Sequence, residues 1–182
     1  MRVIGGKYRS RVLAEFAGKD VRPTSDRAKE ALFNILALRL QGARVLDLFA
    51  GSGSLGIESL SRGAKEAVFN DGAKDSVAIV KKNLAALQIP SEQFRICNYD
   101  YAVCLDCMQG QFDLILIDPP YQMPYGVTAL EKIAKRGLLS ENGVAVYERD
   151  RAFEGEIDGL EKYDERKYGK AYLTFFRRLK KD

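Results

Sequence analysis

The segment Asp118-Pro119-Pro120-Tyr121 combines residue types that can hold and activate an aromatic amine. Two prolines stiffen the backbone and remove two N–H donors, so the segment presents mainly hydrogen-bond acceptors. The Asp118 carboxylate and the Pro119 carbonyl can accept both hydrogens of an exocyclic amine, which localises the nitrogen lone pair, and Tyr121 can stack on the base. A rigid turn at the end of a strand is the alternative interpretation. We predict that Asp118, Pro119, Pro120 and Tyr121 are the catalytic residues.

A glycine-rich turn, Gly51-x-Gly53-x-x-Gly56, follows the apolar segment 45–48 and precedes a helical pattern. Strand, glycine turn and helix form a unit in which the backbone approaches a nucleotide-like ligand closely. Asp47 lies at the end of the strand, where a carboxylate repels the pyrophosphate of a dinucleotide and attracts an ammonium group. S-adenosylmethionine has an ammonium group and an adenosine but no phosphate, so the pattern favours it over NAD. A tight turn without a ligand is the alternative.

Both motifs must be positioned by an open α/β sheet, because apolar runs alternate with helical patterns along the chain. The predicted strands are 45–48, 67–69, 94–97, 112–117 and 144–147, with a hairpin over 165–179; the predicted helices are 22–42, 57–62, 74–87, 101–110 and 129–135. The run 112–117 is the most apolar and is predicted to be central. Ligands of such sheets lie at the carboxyl ends of the strands near a switch point, which brings the two motifs side by side.

Further residues are predicted to contact the cofactor. Asp71 follows the second strand, about 20 residues beyond the glycine turn, where a carboxylate can accept from both ribose hydroxyls; a helix N-cap is the alternative. Asp100 can accept from the adenine amine with Tyr101 near the ring, or it is a loop carboxylate. The remaining predicted contacts are in or near the glycine turn and the preceding helix: Thr24, Phe33, Asn34, Phe49, Ala50 and Ser52. For Phe33 and Asn34, the prediction is a wall of the cofactor pocket, and the alternatives are packing and solvent.

Composition narrows the class of protein. The chain of 182 residues is 46% hydrophobic, which suits one domain with a single core. It has no histidine, so an imidazole base is excluded. The pair Cys104-x-x-Cys107 has no second pair and no histidine to complete a zinc site, so we expect no metal. No apolar run is long enough for a membrane span and the first residues lack the apolar core of a signal peptide, so we expect a cytoplasmic protein. We also expect it to be a monomer.

The charge is unevenly distributed. The net charge is +4, with ten basic and four acidic side chains in residues 1–44, and seven basic and two acidic side chains in residues 165–182. Clustered Lys and Arg indicate a polyanionic partner, whereas two solvated basic ends are the alternative. Residues 1–22 are predicted to form a basic arm with a short hairpin, and residues 23–182 a single compact domain. The predicted RNA contacts are all basic: Arg2, Lys7, Arg9, Arg11, Arg22 and Lys170.

The chain resembles the RsmD-type methyltransferases over nearly its whole length. The resemblance is carried by the opening residues 1–6, by Arg22-Pro23-Thr24 and the helix after it, by the segment 46–56, by Asp118–Tyr121 and by Tyr168-Gly169-Lys170. It implies a class I methyltransferase fold, Rossmann-like, with a seven-stranded, mostly parallel sheet and helices on both faces. It also implies transfer of a methyl group from S-adenosylmethionine to N2 of one guanine, at position 966, in 16S ribosomal RNA of the small subunit.

Three other functions share parts of this pattern. A DNA amino-methyltransferase uses the same two motifs, but it usually needs a target-recognition region for which 182 residues leave little room. A nucleotide-binding oxidoreductase shares the glycines, but Asp47 and the Asp118–Tyr121 turn argue against it. An RNA-binding module with a vestigial cofactor pocket is the third alternative.

Overall fold

The computed structural model describes residues 1–16, 26–120 and 123–180, and within them seven strands form one sheet in the order β3-β2-β1-β4-β5-β7-β6. The strands are β1 (Arg44–Asp47), β2 (Glu66–Asn70), β3 (Phe94–Cys97), β4 (Phe112–Ile117), β5 (Leu139–Arg149), β6 (Leu160–Tyr168) and β7 (Ala171–Arg178). Only β7 runs against the other six. The prediction of a mostly parallel sheet with β4 at its centre is confirmed.

Helices connect the parallel strands. They are α1 (Asp26–Ile35), α2 (Ala37–Leu40), α3 (Ser54–Ser61), α4 (Lys74–Ala86), α5 (Tyr101–Cys107) and α6 (Tyr125–Arg136), with a short 3₁₀ turn at Ser91–Gln93. None of the helices in the described ranges is long and apolar enough to cross a membrane.

The core forms two layers, one on each face of the sheet. Side chains alternate along β1, so that Val45 packs with α1 to α4 and Leu46 packs with α5 and α6. The same alternation in β4 sends Leu114 to the first layer and Ile115 to the second. Because both faces of the sheet are covered, the central strands have continuous runs of apolar residues, and these runs are the pattern from which the sequence analysis predicts the strands.

The strands that follow β1 in the chain are added first on one side of it and then, from β4 onward, on the other side. The first three strands step outward to β3 at one edge, and the chain then returns to place β4 beside β1. The loops that follow these two neighbouring strands therefore lead to opposite faces and leave a crevice at their carboxyl ends.

Residues 1–13 pack along α3. Arg2 and Val12 form an antiparallel bridge, as the predicted hairpin requires, and Val3, Tyr8 and Leu13 are buried. The Glu58 carboxylate accepts hydrogen bonds from two backbone amides of this segment, at 2.8 Å each. The segment is thus tied to the same helix that begins at the glycine turn.

The helix predicted over 22–42 differs in the structure. Residues 17–25 lie outside the described residues, and α1 ends at Ile35, one residue before the N-cap of α2 at Leu36. Two apolar residues of this stretch face solvent: 39% of Ile35 and all of Leu38 are exposed. Leu32, Leu36 and Leu40, spaced four residues apart across the break, are buried.

Candidate functional site

A cavity of about 620 Å³ opens at the carboxyl edge of the sheet, between the loops that follow β1 and β4. This volume is typical of small-molecule sites. Phe49–Ser52, which follow β1, and Asp118–Pro120, which follow β4, line the same cavity. The two loops are adjacent because β1 and β4 pair in parallel, with Asp47 opposite Leu116.

The glycine turn closes tightly above β1. Gly51 and Gly53 have φ of 55° and 80°, in the left-handed region that favours glycine, and Gly53 is the N-cap of α3. A Cβ on Gly56 would lie 2.3 Å from the ring of Phe69, so only glycine allows α3 to approach β2 this closely. The glycine pattern is therefore explained by local geometry whether or not a ligand binds.

Asp47 is 1% exposed, and its carboxylate accepts a hydrogen bond of 2.9 Å from the Gly56 N–H. Burial raises the pKa of the Asp47 carboxyl to about 7, while the Gly56 N–H acts in the opposite direction. Asp47 and Gly53 are buried behind the wall of the cavity rather than along it. Asp47 thus links the end of β1 to the first turn of α3, on the buried side of the glycine turn.

Asp71 and Asp100 both line the cavity, and both also bond to backbone amides. Asp71 accepts from the Gly51 N–H at 2.9 Å and from the Ala73 N–H at 2.8 Å. Asp100 accepts from the Ala102 N–H at 2.8 Å and so is the N-cap of α5. The capping role and a role toward a ligand are compatible, because each carboxylate has further lone pairs.

Three aromatic rings contact each other beside these carboxylates and line the cavity. Phe49 and Tyr101 have centroids 5.4 Å apart, and Tyr125 lies 4.9 Å from Tyr101 and parallel to Phe49 at 6.4 Å. The sequence analysis does not identify Tyr125, because the predicted helix begins only at residue 129. The signal that identifies it is Pro124, the N-cap residue of α6, since proline is common where helices begin.

Asn70 is a second cavity residue that the sequence prediction missed. Its amide donates to the Leu48 carbonyl at 3.2 Å and to the Tyr99 carbonyl at 3.1 Å, and its own oxygen accepts from the Tyr99 N–H at 3.3 Å. One buried side chain therefore connects the loops after three strands. No local pattern in the sequence marks such a role.

The segment after β4 is placed as the sequence predicts. Asp118 is half-buried, Pro119 is buried and Pro120 is exposed, and all three line the cavity. Tyr121 lies outside the described residues. The arrangement sets a carboxylate and a proline-rich backbone opposite the glycine turn across one crevice.

Besides Asp47 and Gly53, two predicted cofactor residues in the described part of the chain, Phe33 and Asn34, do not line the cavity. Phe33 is fully buried in the core, with the Arg62 guanidinium 5.4 Å from its ring centroid, and it does not line the cavity. Asn34 is exposed to solvent and does not line the cavity, and Thr24 lies outside the described residues. The wall on this side is formed instead by Met1 and Phe16.

The predicted RNA contacts lie in different places. The turn that contains Lys7 and Arg9 lies at the C-terminal end of α3, where the Lys7 N–H bonds to the Ser61 carbonyl. Arg11 donates to the Ala86 carbonyl at the end of α4, also away from the cavity. Arg2 is exposed beside Asp26 at 3.3 Å and Lys170 is exposed after the last residue of β6, whereas Arg22 lies outside the described residues.

A protein family described as "Conserved hypothetical protein 95" matches residues 1–177. The "Putative rRNA methyltransferase YlbH" of Bacillus subtilis is 38% identical over 157 residues, which are 85% of each chain. The "Ribosomal RNA small subunit methyltransferase D" of Haemophilus influenzae is 37% identical over 153 residues, covering 83% of this chain and 79% of that one.

Among solved structures, the "Putative methyltransferase yhhF from Escherichia coli" superposes with a TM-score of 0.86 at 27% identity, covering 100% of this chain and 99% of that one. This likeness, together with the sheet order, shows the class I methyltransferase fold that the sequence predicted.

Proposed function

The chain belongs to the family described as Conserved hypothetical protein 95, the RsmD family, and on that premise we propose that it methylates N2 of one guanine, at position 966, in 16S ribosomal RNA. The proposed methyl donor is S-adenosylmethionine. The names of the two curated relatives support ribosomal RNA as the class of substrate. The choice of guanine N2 rests on the resemblance and is the part that experiment must test.

One observation carries the proposal: the glycine turn after β1 and the Asp118–Pro120 segment after β4 line a single cavity. A methyl donor and an amine must meet within bonding reach, and two loops that face one crevice can hold one reactant each. Most of the acceleration of such a transfer comes from positioning.

The residues on the β1 side fit an adenosine with an amino acid tail. Asp71 offers carboxylate oxygens for ribose hydroxyls, and the cluster of Phe49, Tyr101 and Tyr125 offers apolar ring surface for a base. The exposed edge of the glycine turn at Gly51 and Ser52 faces the same space. S-adenosylmethionine supplies an electrophilic methyl group there.

The residues on the β4 side act on the amine. The Asp118 carboxylate and the Pro119 carbonyl accept the two N2 hydrogens, which turns the nitrogen lone pair toward the donor. Asp118 also accepts the proton that N2 loses after the methyl group has moved from the sulfonium sulfur to N2, which leaves S-adenosylhomocysteine. Tyr121 is proposed to stack on the guanine, and the basic residues predicted from the sequence are proposed to bind the RNA backbone.

The test uses the purified protein and small ribosomal subunits from a strain that lacks it. Subunits incubated with isotopically labelled S-adenosylmethionine should gain one labelled N2-methylguanine, which nuclease digestion and mass spectrometry place in the 16S sequence. Duplex DNA and free guanosine serve as control substrates.

Each alternative has a distinct outcome. Label in duplex DNA but not in the subunits favours a DNA amino-methyltransferase. Binding of RNA without heat of binding for S-adenosylhomocysteine favours an RNA-binding module with a vestigial pocket. Binding of NADH in the cavity favours an oxidoreductase.

A further inference from the structure

Three side chains form a row across the last three strands of the sheet. Arg149 of β5 is directly opposite Tyr172 of β7, and Tyr172 is directly opposite Lys167 of β6. Directly opposed residues of antiparallel strands project from the same face of a sheet. The Arg149–Tyr172–Lys167 row therefore presents a cation, an aromatic ring and a second cation on one face.

The row begins beside the candidate catalytic loop. Ile117 of β4 is paired with Tyr147 of β5, so Arg149, two residues further, is level with Pro119. Neighbouring strands are about 4.8 Å apart, so the row extends about 14 Å from the cavity loop to Lys167. Because β7 starts where the parallel strands end, the hairpin turn at Gly169 and Lys170 lies at this same edge.

The charges of the row are held in place by rings. The Arg149 guanidinium carbon lies 5.3 Å from the Tyr147 centroid and 5.6 Å from the Phe153 centroid, and Lys167 Nζ lies 5.1 Å from the Tyr172 centroid. Lys167 is exposed, and Arg149 and Tyr172 are half-buried. Such contacts fix a cation at low entropic cost while its charge remains available to an anion.

Two arginines of the hairpin differ from them, because carboxylates neutralise their charges. Arg166 bonds to Asp164 at 2.9 Å, and Arg177 bonds to Glu161 at 2.8 Å. In the described part of the chain, Arg149 and Lys167 make no ion pair with a carboxylate. The positive charges of Arg149 and Lys167 are thus left uncompensated.

We propose that the Arg149–Tyr172–Lys167 row binds the RNA strand adjacent to the target nucleotide, with the two cations on successive backbone phosphates and Tyr172 stacked on a base. Cations interleaved with an aromatic ring suit a single strand, because phosphates and base faces alternate along it. The inference rests on the proposed function for the identity of the strand. It places this part of the RNA on the β6–β7 side of the cavity, a surface separate from the Lys7–Arg9 turn.

The test compares two variants that lose the same charge. Arg149→Gln with Lys167→Gln removes the cations of the row, and Lys81→Gln with Lys82→Gln removes two exposed cations of α4. The probe is a fluorescein-labelled oligouridine with one central guanine, titrated by fluorescence anisotropy over a range of salt concentrations. Calorimetry with S-adenosylhomocysteine checks that the cofactor pocket is intact.

The row variant should bind the probe about tenfold more weakly at physiological salt, and its salt slope should fall by about 1.4, because each phosphate contact with a single strand contributes about 0.7. The α4 variant should bind as the wild type does. Tyr172→Ala should weaken binding about fivefold or more, and Tyr172→Phe should restore it, since the ring alone is needed for stacking.

Unchanged RNA binding by the row variant overturns the proposal. Equal losses of affinity in the row and α4 variants also overturn it, because they would show that binding depends on net charge and not on where the cations lie. Loss of binding only on Arg9→Glu with Arg11→Glu also overturns it. Methylation of small subunits by the wild type separates the two proposals. If transfer fails but the row variant still loses RNA affinity, the function is wrong and the row remains an RNA-binding surface.

Discussion

Asp118 is the residue on which the proposed chemistry depends most directly. We expect Asp118→Ala to reduce the rate of methyl transfer by at least about 100-fold, because one of two acceptors for the amine is lost. The affinity for S-adenosylhomocysteine, measured by calorimetry, should stay within a few-fold of wild type. Asp118→Asn is the matched control, since it keeps an oxygen acceptor and the shape. Comparable turnover by Asp118→Ala and wild type would remove the carboxylate from the mechanism.

A second prediction concerns Asp47 and the pH dependence of the free energy of unfolding. Its pKa rises from 3.8 in the unfolded chain to about 7 in the folded protein, so the folded state holds a proton that the unfolded state releases. The contribution of Asp47 to the free energy of unfolding therefore falls as pH rises between those two values and is lowest above about pH 7.

Asp47→Asn should remove this penalty, because an amide oxygen still accepts from the Gly56 N–H and carries no charge. We expect the variant to exceed the wild type in free energy of unfolding by on the order of 1 kcal/mol or more at about pH 8, and the two to converge toward about pH 4. Urea denaturation at several pH values measures both curves. A variant that is less stable than wild type at the higher pH contradicts the prediction.

At the scale of elements, the N-terminal segment is joined to α3 by a buried ionic network. Lys29 and Glu58 are both fully buried, 3.6 Å apart, and Glu58 also bonds to Arg62 at 2.7 Å. Burial lowers the pKa of Lys29, and the Glu58 charge opposes that shift. Lys29 Nζ further donates to the Arg2 carbonyl at 2.6 Å and to the Ser54 hydroxyl at 3.0 Å.

Glu58→Ala should lower the free energy of unfolding by about 3–5 kcal/mol, because it leaves a buried cation and two backbone amides without their acceptor. Urea denaturation measures the change. Asp106→Ala is the control, since it breaks the Lys132–Asp106 pair, in which 53% of the Asp106 side chain is exposed, and should cost less than about 1 kcal/mol. Equal effects of the two substitutions would show that the Glu58 network does not stabilise the fold.

The strands and helices could be predicted wherever the spacing of apolar residues within the segment itself indicates its structure. All the predicted strands are present, and Asp118–Pro120 lies beside the glycine turn because a parallel sheet leaves few other topologies. The break at Leu36 was not predictable from periodicity, because an apolar residue at a helix break looks the same as one in a helix. Met1 and Phe16 reach the cavity through distant contacts that have no local signal.

At the scale of the whole molecule, a ligand that binds in the cavity should increase the free energy of unfolding. If S-adenosylhomocysteine binds the folded state alone, a concentration of 100 times its Kd adds about 2.7 kcal/mol. For a chain of this size that should raise Tm by about 5–10 °C. Differential scanning fluorimetry measures the shift, and NADH at the same concentration should give none. A shift with NADH and none with S-adenosylhomocysteine would reverse the choice of cofactor.

The Glu58 carboxylate accepts from Ile4 and Gly5, whose amides are 54 and 53 positions away along the chain. Contacts between such distant positions form late, because the entropy of closing the intervening loop must be overcome first. The acceptor itself exists only after α3 has packed on the sheet. We therefore expect the first residues of the chain to dock only after α3 has packed on the sheet, and the Met1 side of the cavity to be completed with them.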